Sequence, residues 1–178
     1  MNFSLHEHPH GIETAAGNRV VYDLARNEAH FGAAHVVGPA LVWELDGPGE
    51  GALLSAEIEL DPSTAWLARC DRIDFPPGGV AYTHTHPGPG LRYLLHGTIE
   101  IGTEGHRTAY APGEAWFESG PDPVYAAASA TEETAFARVL LLPVGWEGKR
   151  TIRYVDPADE EKPKLQRPTV FFDRRLAL

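Results

Sequence analysis

Residues 76–97, PPGGVAYTHTHPGPGLRYLLHG, contain the pattern that decides the fold. Two histidines, His84 and His86, lie one residue apart in a segment that begins with prolines and glycines and ends at Gly97. Alternate residues of an extended segment point to the same side, so both imidazoles can face one divalent cation. The stretch therefore predicts a β-hairpin that carries a pair of potential metal ligands.

Other short runs rich in β-branched and aromatic residues lie between glycine and proline turn signals along the chain. They are residues 41–45, 53–60, 66–75, 92–96, 98–101, 107–111, 115–118 and 135–142. This spacing is typical of an all-β sandwich or barrel. Residues 20–31 leave two alternatives open, because their apolar residues recur at helical spacing whereas Val20, Val21 and Tyr22 favour a strand.

Length and composition narrow the class of protein. The chain has 178 residues, which at roughly 100–200 residues per domain predicts a single domain. Its 18 glycines and 15 prolines exclude a long helical bundle, and one cysteine, Cys70, excludes an intrachain disulfide. The net charge of −10 argues against a nucleic-acid or membrane partner. Without an evident signal peptide or membrane-spanning stretch, we expect a cytoplasmic protein.

The histidine stretch resembles the first motif of the cupin superfamily. Gly78, five residues, His84, one residue and His86 follow that motif, which then closes on a glycine at Gly97. Residues 113–121, GEAWFESGP, resemble the start of the second cupin motif. The resemblance covers residues 64–143 and implies a double-stranded β-helix, a small jelly-roll barrel. It also implies a divalent metal at the barrel mouth, such as iron, manganese, zinc, nickel or copper.

We divide the chain into an N-terminal extension, residues 1–40, a barrel, residues 41–144, and a C-terminal extension, residues 145–178. The last segment holds eight basic and six acidic residues, whereas the rest of the chain is strongly acidic. This tail is expected to pack on its own barrel or on a second subunit. Because it carries several large apolar side chains, we expect a homodimer.

The sequence departs from the cupin metal set at two positions. Gly90 stands where the family has a glutamate, and Val124 or Pro123 stands where it has its last histidine. A stable site for a divalent metal generally needs at least three protein ligands. His84 and His86 are therefore either metal ligands or a hydrogen-bonded pair without a metal.

Two further side chains are candidates for completing the metal site. Glu118 ends the strand of the second motif, and His96 precedes the hairpin glycine. Glu118 could instead be a solvated or salt-bridged residue at the barrel rim. His96 could instead be an exposed turn residue.

Three more residues could contact an organic ligand. Arg92 is a candidate anchor for a substrate carboxylate, or alternatively the salt-bridge partner of Glu118. Tyr82 and Trp116 either stack on a ligand or belong to the core of the barrel.

The sequence thus predicts a small-molecule site at the barrel mouth and leaves two function classes open. One is a metal-dependent enzyme acting on a small organic acid or oxygenated metabolite; the other is a metal-free binding or sensing protein. No catalytic residue is assigned.

Overall fold

The computed structural model describes residues 1–178, and nearly all of its regular structure is β-strand. The strands are β1 (Asn2–His8), β2 (Ile12–Thr14), β3 (Arg19–Asp23), β4 (Glu28–Phe31), β5 (Ala34–Val36), β6 (Ala40–Leu45), β7 (Leu54–Glu57), β8 (Trp66–Phe75), β9 (Val80–Thr85), β10 (Gly90–His96), β11 (Ile99–Thr103), β12 (His106–Tyr110), β13 (Ala115–Glu118), β14 (Val124–Ala128), β15 (Thr134–Pro143), β16 (Arg153–Tyr154) and β17 (Arg167–Arg175). Two 3-10 helices span Val144–Trp146 and Pro157–Glu161. No helix has the length and apolar character needed to cross a membrane.

Two five-stranded antiparallel sheets form the barrel. Their strand orders are β13-β10-β15-β8-β17 and β12-β11-β14-β9-β16. From β8 to β15 the chain crosses from one sheet to the other at each step except between β11 and β12, which are neighbours in one sheet. The longest ladder joins β8 to β15, from Phe75 opposite Thr134 to Trp66 opposite Pro143. The predicted all-β jelly-roll barrel is confirmed.

A third five-stranded sheet, ordered β4-β3-β6-β1-β7, stacks on the outer face of the barrel sheet that contains β8, β10 and β15. Strand β6, with the sequence ALVWEL, is almost wholly buried because both of its faces are covered. Trp43 packs towards the barrel and donates a hydrogen bond to the Leu91 carbonyl at 3.1 Å. On the other face, Val42 packs beneath the small β2-β5 sheet.

The structure corrects the boundaries expected for the barrel. The predicted strands at 41–45 and 53–60 correspond to β6 and β7, which pair with β1 in the N-terminal sheet, and the barrel begins at Trp66. Alternation identifies which face of a strand is buried but not which sheet buries it. Residues 20–31 form the antiparallel pair β3 and β4, so the strand alternative holds there.

The C-terminal tail lies on its own chain. Strand β16 pairs with β9, and β17 pairs with β8 along most of its length. The Phe171 ring packs against Tyr22 with centroids 5.6 Å apart, and Phe172 packs against Phe31 at 6.2 Å. Phe171 and Phe172 of the tail are therefore covered by the N-terminal sheet of the same chain, and these two side chains do not need a partner subunit.

A buried ion pair fastens this tail to the barrel. Arg69 on β8 donates from Nε and Nη2 to the two carboxylate oxygens of Asp173, at 2.6 and 2.7 Å. Its Nη1 also donates to the carbonyl of Lys149 at 2.6 Å, and the Gly148 amide donates to Asp173 at 2.7 Å. Burial acts to raise the pKa of Asp173, but the hydrogen bonds from Arg69 and Gly148 outweigh it and lower that pKa. Residues 146–149 are thereby held against the end of the barrel.

Candidate functional site

A cavity of about 520 Å³ lies between the two barrel sheets. Its polar end is formed by Arg69, Asp71, His84, His86, Glu118 and Arg138. Its apolar end is formed by Ile73, Phe75, Ala81, Ile101, Ala126 and Phe136. The tail supplies another part of the wall through residues 148–152 and Tyr154, Lys164 and Gln166.

The division into two ends follows from the sequence of the longest strands. Alternate residues of β8, beginning at Arg69 and ending at Phe75, face the cavity, and they change from charged to apolar along the strand. On β15, Arg138 lies opposite Asp71, and Phe136 lies opposite Ile73. At these two positions the ladder places charged opposite charged and apolar opposite apolar residues.

The two histidines lie side by side at the polar end, with ring centroids 4.9 Å apart. His84 Nδ1 is 2.7 Å from the carbonyl oxygen of Tyr82, so it carries the proton and donates, which leaves Nε2 with a free lone pair. His86 Nε2 accepts a hydrogen bond from Arg138 Nη1 at 3.4 Å, so the proton of neutral His86 resides on Nδ1. His86 Nδ1 is buried, and a backbone group of Thr151 lies close to the ring.

Both imidazoles are held neutral by their surroundings. Burial lowers the pKa of His84 to about 4, although the nearby Glu118 carboxylate opposes that effect. Burial, followed by the positive charges of Arg138 and Arg92, lowers the pKa of His86 well below its usual value. At neutral pH the pair consequently offers hydrogen-bonding groups without charge.

Arg138 occupies the centre of the polar end. Its Nε and Nη2 donate to the two oxygens of Asp71 at 2.6 and 3.0 Å, and both side chains are buried. A guanidinium has more N–H donors than these two bonds and the contact to His86 use. Arg138 therefore keeps donors that can face the cavity.

Arg92 and Glu118 form a second buried ion pair, with Arg92 Nη2 2.6 Å from Glu118 Oε2. The contact is ionic, because Nη2 lacks hydrogen-bond geometry and Nε has no partner. Burial lowers the pKa of Arg92 to about 10, which leaves it positively charged at neutral pH. The Trp116 indole donates to Glu118 Oε1 at 2.9 Å. Arg92 thus follows the salt-bridge alternative and is not part of the cavity lining.

Two predicted site residues lie elsewhere. His96 is exposed at the end of β10, where its ring nitrogens contact Arg72 Nη2 and the Glu133 carbonyl at 3.2 Å each. The strand is irregular between Leu94 and His96, so His96 does not continue the alternation of β10, and it follows the exposed-turn alternative. Tyr82 is also outside the cavity lining, beneath Lys162, whose Nζ is 4.6 Å from the ring centroid.

The residues at the polar end do not fit a divalent cation. The guanidinium of Arg138 faces His86 Nε2, the lone pair that a metal would use. Glu118 is already engaged by Arg92 and Trp116. Position 90 cannot hold a glutamate side chain without rearrangement, because a Cβ there would lie 2.6 Å from Leu140. No group of three or more His, Cys, Asp or Glu side chains in the chain is arranged to hold a metal ion.

The strand order agrees with the resemblance seen in the sequence, as does the histidine pair, with His84 on the second barrel strand and His86 directly after its end. The chain folds as a jelly-roll barrel that resembles the cupin barrel. No family model and no curated protein matches the sequence. Among solved structures, a cupin superfamily protein from Desulfitobacterium hafniense is 15% identical, covering 48% of this chain and 84% of that chain with a TM-score of 0.38.

Two other solved structures have similar levels of likeness. The polyketide cyclase RemF from Streptomyces resistomycificus is 20% identical, covering 58% of this chain and 72% of its own, with a TM-score of 0.42. A cupin-2 domain from Rhodospirillum rubrum is 16% identical, covering 60% of this chain and 66% of its own, with a TM-score of 0.43.

The sequence analysis did not identify Arg69, Asp71 or Arg138 as site residues. Each is a charged residue inside a strand that is otherwise mainly apolar, and each is buried. A buried charge of this kind must be paired, so its presence in a barrel strand was an available signal. The identity of the pairs, however, depends on the register between β8 and β15.

Proposed function

We propose that this jelly-roll barrel binds a small organic molecule with an apolar body, and that binding requires no metal ion. The observation that carries the proposal is the cavity of about 520 Å³, which has one polar and one apolar end. Small-molecule sites typically have volumes of about 300–1,000 Å³, mostly apolar walls and a few polar groups that orient the ligand. This cavity matches each part of that description.

The alternative, a metal-dependent enzyme, has less support from the site. A metal at His84 and His86 would have to displace the Arg138 guanidinium from His86 Nε2. It would also lie close to two buried guanidinium groups, because the positive charges of Arg138 and Arg92 both lower the pKa of each histidine. Like charges repel strongly where water is scarce. His84 Nε2 instead serves in our proposal as an acceptor for a hydroxyl or amide group of the ligand.

A neutral apolar fluorophore, 1-aminoanthracene, is expected to bind in this cavity. Replacing Ala126, which lines the apolar end, by phenylalanine should fill part of the space and weaken binding at least about tenfold. The matched control is Ala109→Phe, because Ala109 is exposed on β12. A fluorescence titration in the presence of a chelator measures each affinity.

Equal binding by the wild type and Ala126→Phe would contradict a site inside the barrel. Loss of binding on adding the chelator would instead support the metal-dependent alternative. Circular dichroism of each variant establishes that the barrel is still folded.

The homodimer stays a prediction. The structure removes part of its original basis, because Phe171 and Phe172 pack on the N-terminal sheet of their own chain. Exposed apolar side chains nevertheless remain on the tail, including Val155 and Val170. Light scattering tests the proposal: about twice the chain mass of 19.4 kDa would support it, and a mass of 19.4 kDa would contradict it.

A further inference from the structure

We infer that the ligand is a carboxylic acid whose carboxylate enters the polar end and accepts hydrogen bonds from Arg138. The inference rests on the proposed function and specifies the class of ligand. Its apolar body would occupy the end formed by Ile73, Phe75 and Phe136. Arg138, a residue that no motif in the sequence marks, would be the main anchor.

The first argument is a surplus of buried hydrogen-bond donors. His86 contributes no free donor, because its Nε2 accepts from Arg138 and a backbone group of Thr151 lies close enough to its ring to raise its pKa. Arg138 lines the cavity and has N–H groups beyond those used by Asp71 and His86. Buried donors without acceptors are rare in folded proteins. The site therefore lacks acceptor atoms, which a carboxylate supplies.

The protein's own carboxylates cannot supply those acceptors. Both oxygens of Asp71 are bound by Arg138, and the two oxygens of Glu118 face Trp116 and Arg92. The nearest free lone pair, His84 Nε2, belongs to a neutral imidazole whose other nitrogen is bound to Tyr82. An additional acceptor must therefore come from a bound molecule or from water.

The second argument is the distribution of charge. The cavity lining includes five basic residues, Arg69, Arg138, Lys149, Arg150 and Lys164, and two acidic residues, Asp71 and Glu118. Three of the basic residues are paired, Arg69 with Asp173, Arg138 with Asp71 and Arg150 with Glu160. Lys164 forms no ion pair, and its ammonium donates to three backbone carbonyls. This basic lining belongs to a chain whose net charge is −10. An anion repelled by most of the protein would find its favourable position here.

Hydrogen bonds from a guanidinium to a carboxylate are among the stronger polar contacts in proteins, and they favour the ionised acid over a neutral analogue. The apolar end restricts the rest of the molecule, because a second charged group there would be buried without a partner. The ligand class that fits is therefore a monocarboxylic acid with an aliphatic or aromatic body.

The test compares 4-phenylbutyrate with its neutral analogue 4-phenylbutyramide, by calorimetry and by displacement of 1-aminoanthracene. We expect the acid to bind at least about tenfold more tightly than the amide. In the double variant Asp71→Asn/Arg138→Gln, which removes both charges of the pair, this preference should disappear while 1-aminoanthracene still binds. Arg107→Gln is the matched control, because Arg107 is exposed on β12 and pairs with Glu100 outside the cavity.

The outcomes separate the two proposals. Equal binding of acid and amide, together with normal binding of 1-aminoanthracene, would overturn the carboxylate inference and leave the proposed function intact. A preference for the acid that persists in Asp71→Asn/Arg138→Gln would overturn the assignment to Arg138. Failure of the acid, the amide and 1-aminoanthracene to bind the wild type would overturn the proposed function itself.

Discussion

Replacing Asp173 by alanine is expected to lower the free energy of unfolding by about 3–5 kcal/mol, because the change leaves a buried guanidinium without its partner. The side chains of Arg69 and Asp173 are 4% and 9% exposed, and two hydrogen bonds join them. The same change removes the acceptor that holds the Gly148 amide. Residues 146–149 should then be held less tightly against the barrel, because only the bonds from Arg69 to the carbonyls of Trp146 and Lys149 remain.

Urea unfolding followed by circular dichroism measures this loss. The matched control is Glu160→Ala, which breaks the exposed pair between Glu160 and Arg150 and should cost no more than about 1 kcal/mol. Replacing Arg69 and Asp173 together by methionine should recover much of the stability, since neither charge is then left unpaired. A loss for Asp173→Ala no larger than that for Glu160→Ala would refute the role of the ion pair.

Acidification from pH 6.5 to about 4 is expected to remove about 3 kcal/mol of stability through His84 alone. The pKa of His84 is about 4 in the folded protein and 6.5 in an unperturbed chain. Over this range the unfolded chain takes up a proton that folded His84 excludes, so falling pH favours unfolding. The lowered pKa of His86 acts in the same direction. At pH 6.5 half of the unfolded chains carry this proton, and the effect vanishes about one pH unit higher, where both states are neutral.

Urea unfolding at several pH values between 7 and 4 tests this dependence. The variant His84→Gln/His86→Gln should show a much shallower decline, because it has no imidazoles to protonate at the polar end. His35→Gln should decline as the wild type does, since His35 is exposed on β5. The same decline in the wild type and the double variant would show that other groups cause it.

The sequence by itself determined the fold class and the position of the histidine pair. Both features depend on local patterns, namely turn residues at regular spacing and side chains that alternate along a strand. His84 and His86 therefore lie inside the barrel, as the pattern 76–97 indicated. Glu118 also reaches the polar end, but as the partner of Arg92.

The tertiary structure decided the partners of these elements. Strand β6 could have begun the barrel or joined another sheet, and the tail could have covered either its own chain or a second copy. The directions of the His96 and Tyr82 side chains depend on two strand irregularities. One lies between Leu94 and His96, and the other lies between Val124 and Ala126 on the strand beside Tyr82. A single extra residue in a strand reverses which side chains face inward.

The same reason explains why the chemistry of the site was not evident from the sequence. Arg138 and Asp71 are far apart in the chain, and only the register of β15 on β8 brings them into contact beside His86. A motif contains residues that are close in sequence. The charge at one end of a barrel depends instead on side chains from several strands that are distant in sequence. Alternation along each strand therefore determined which side chains could point into the barrel. Strand pairing determined that the Arg138 guanidinium lies beside the lone pair of His86.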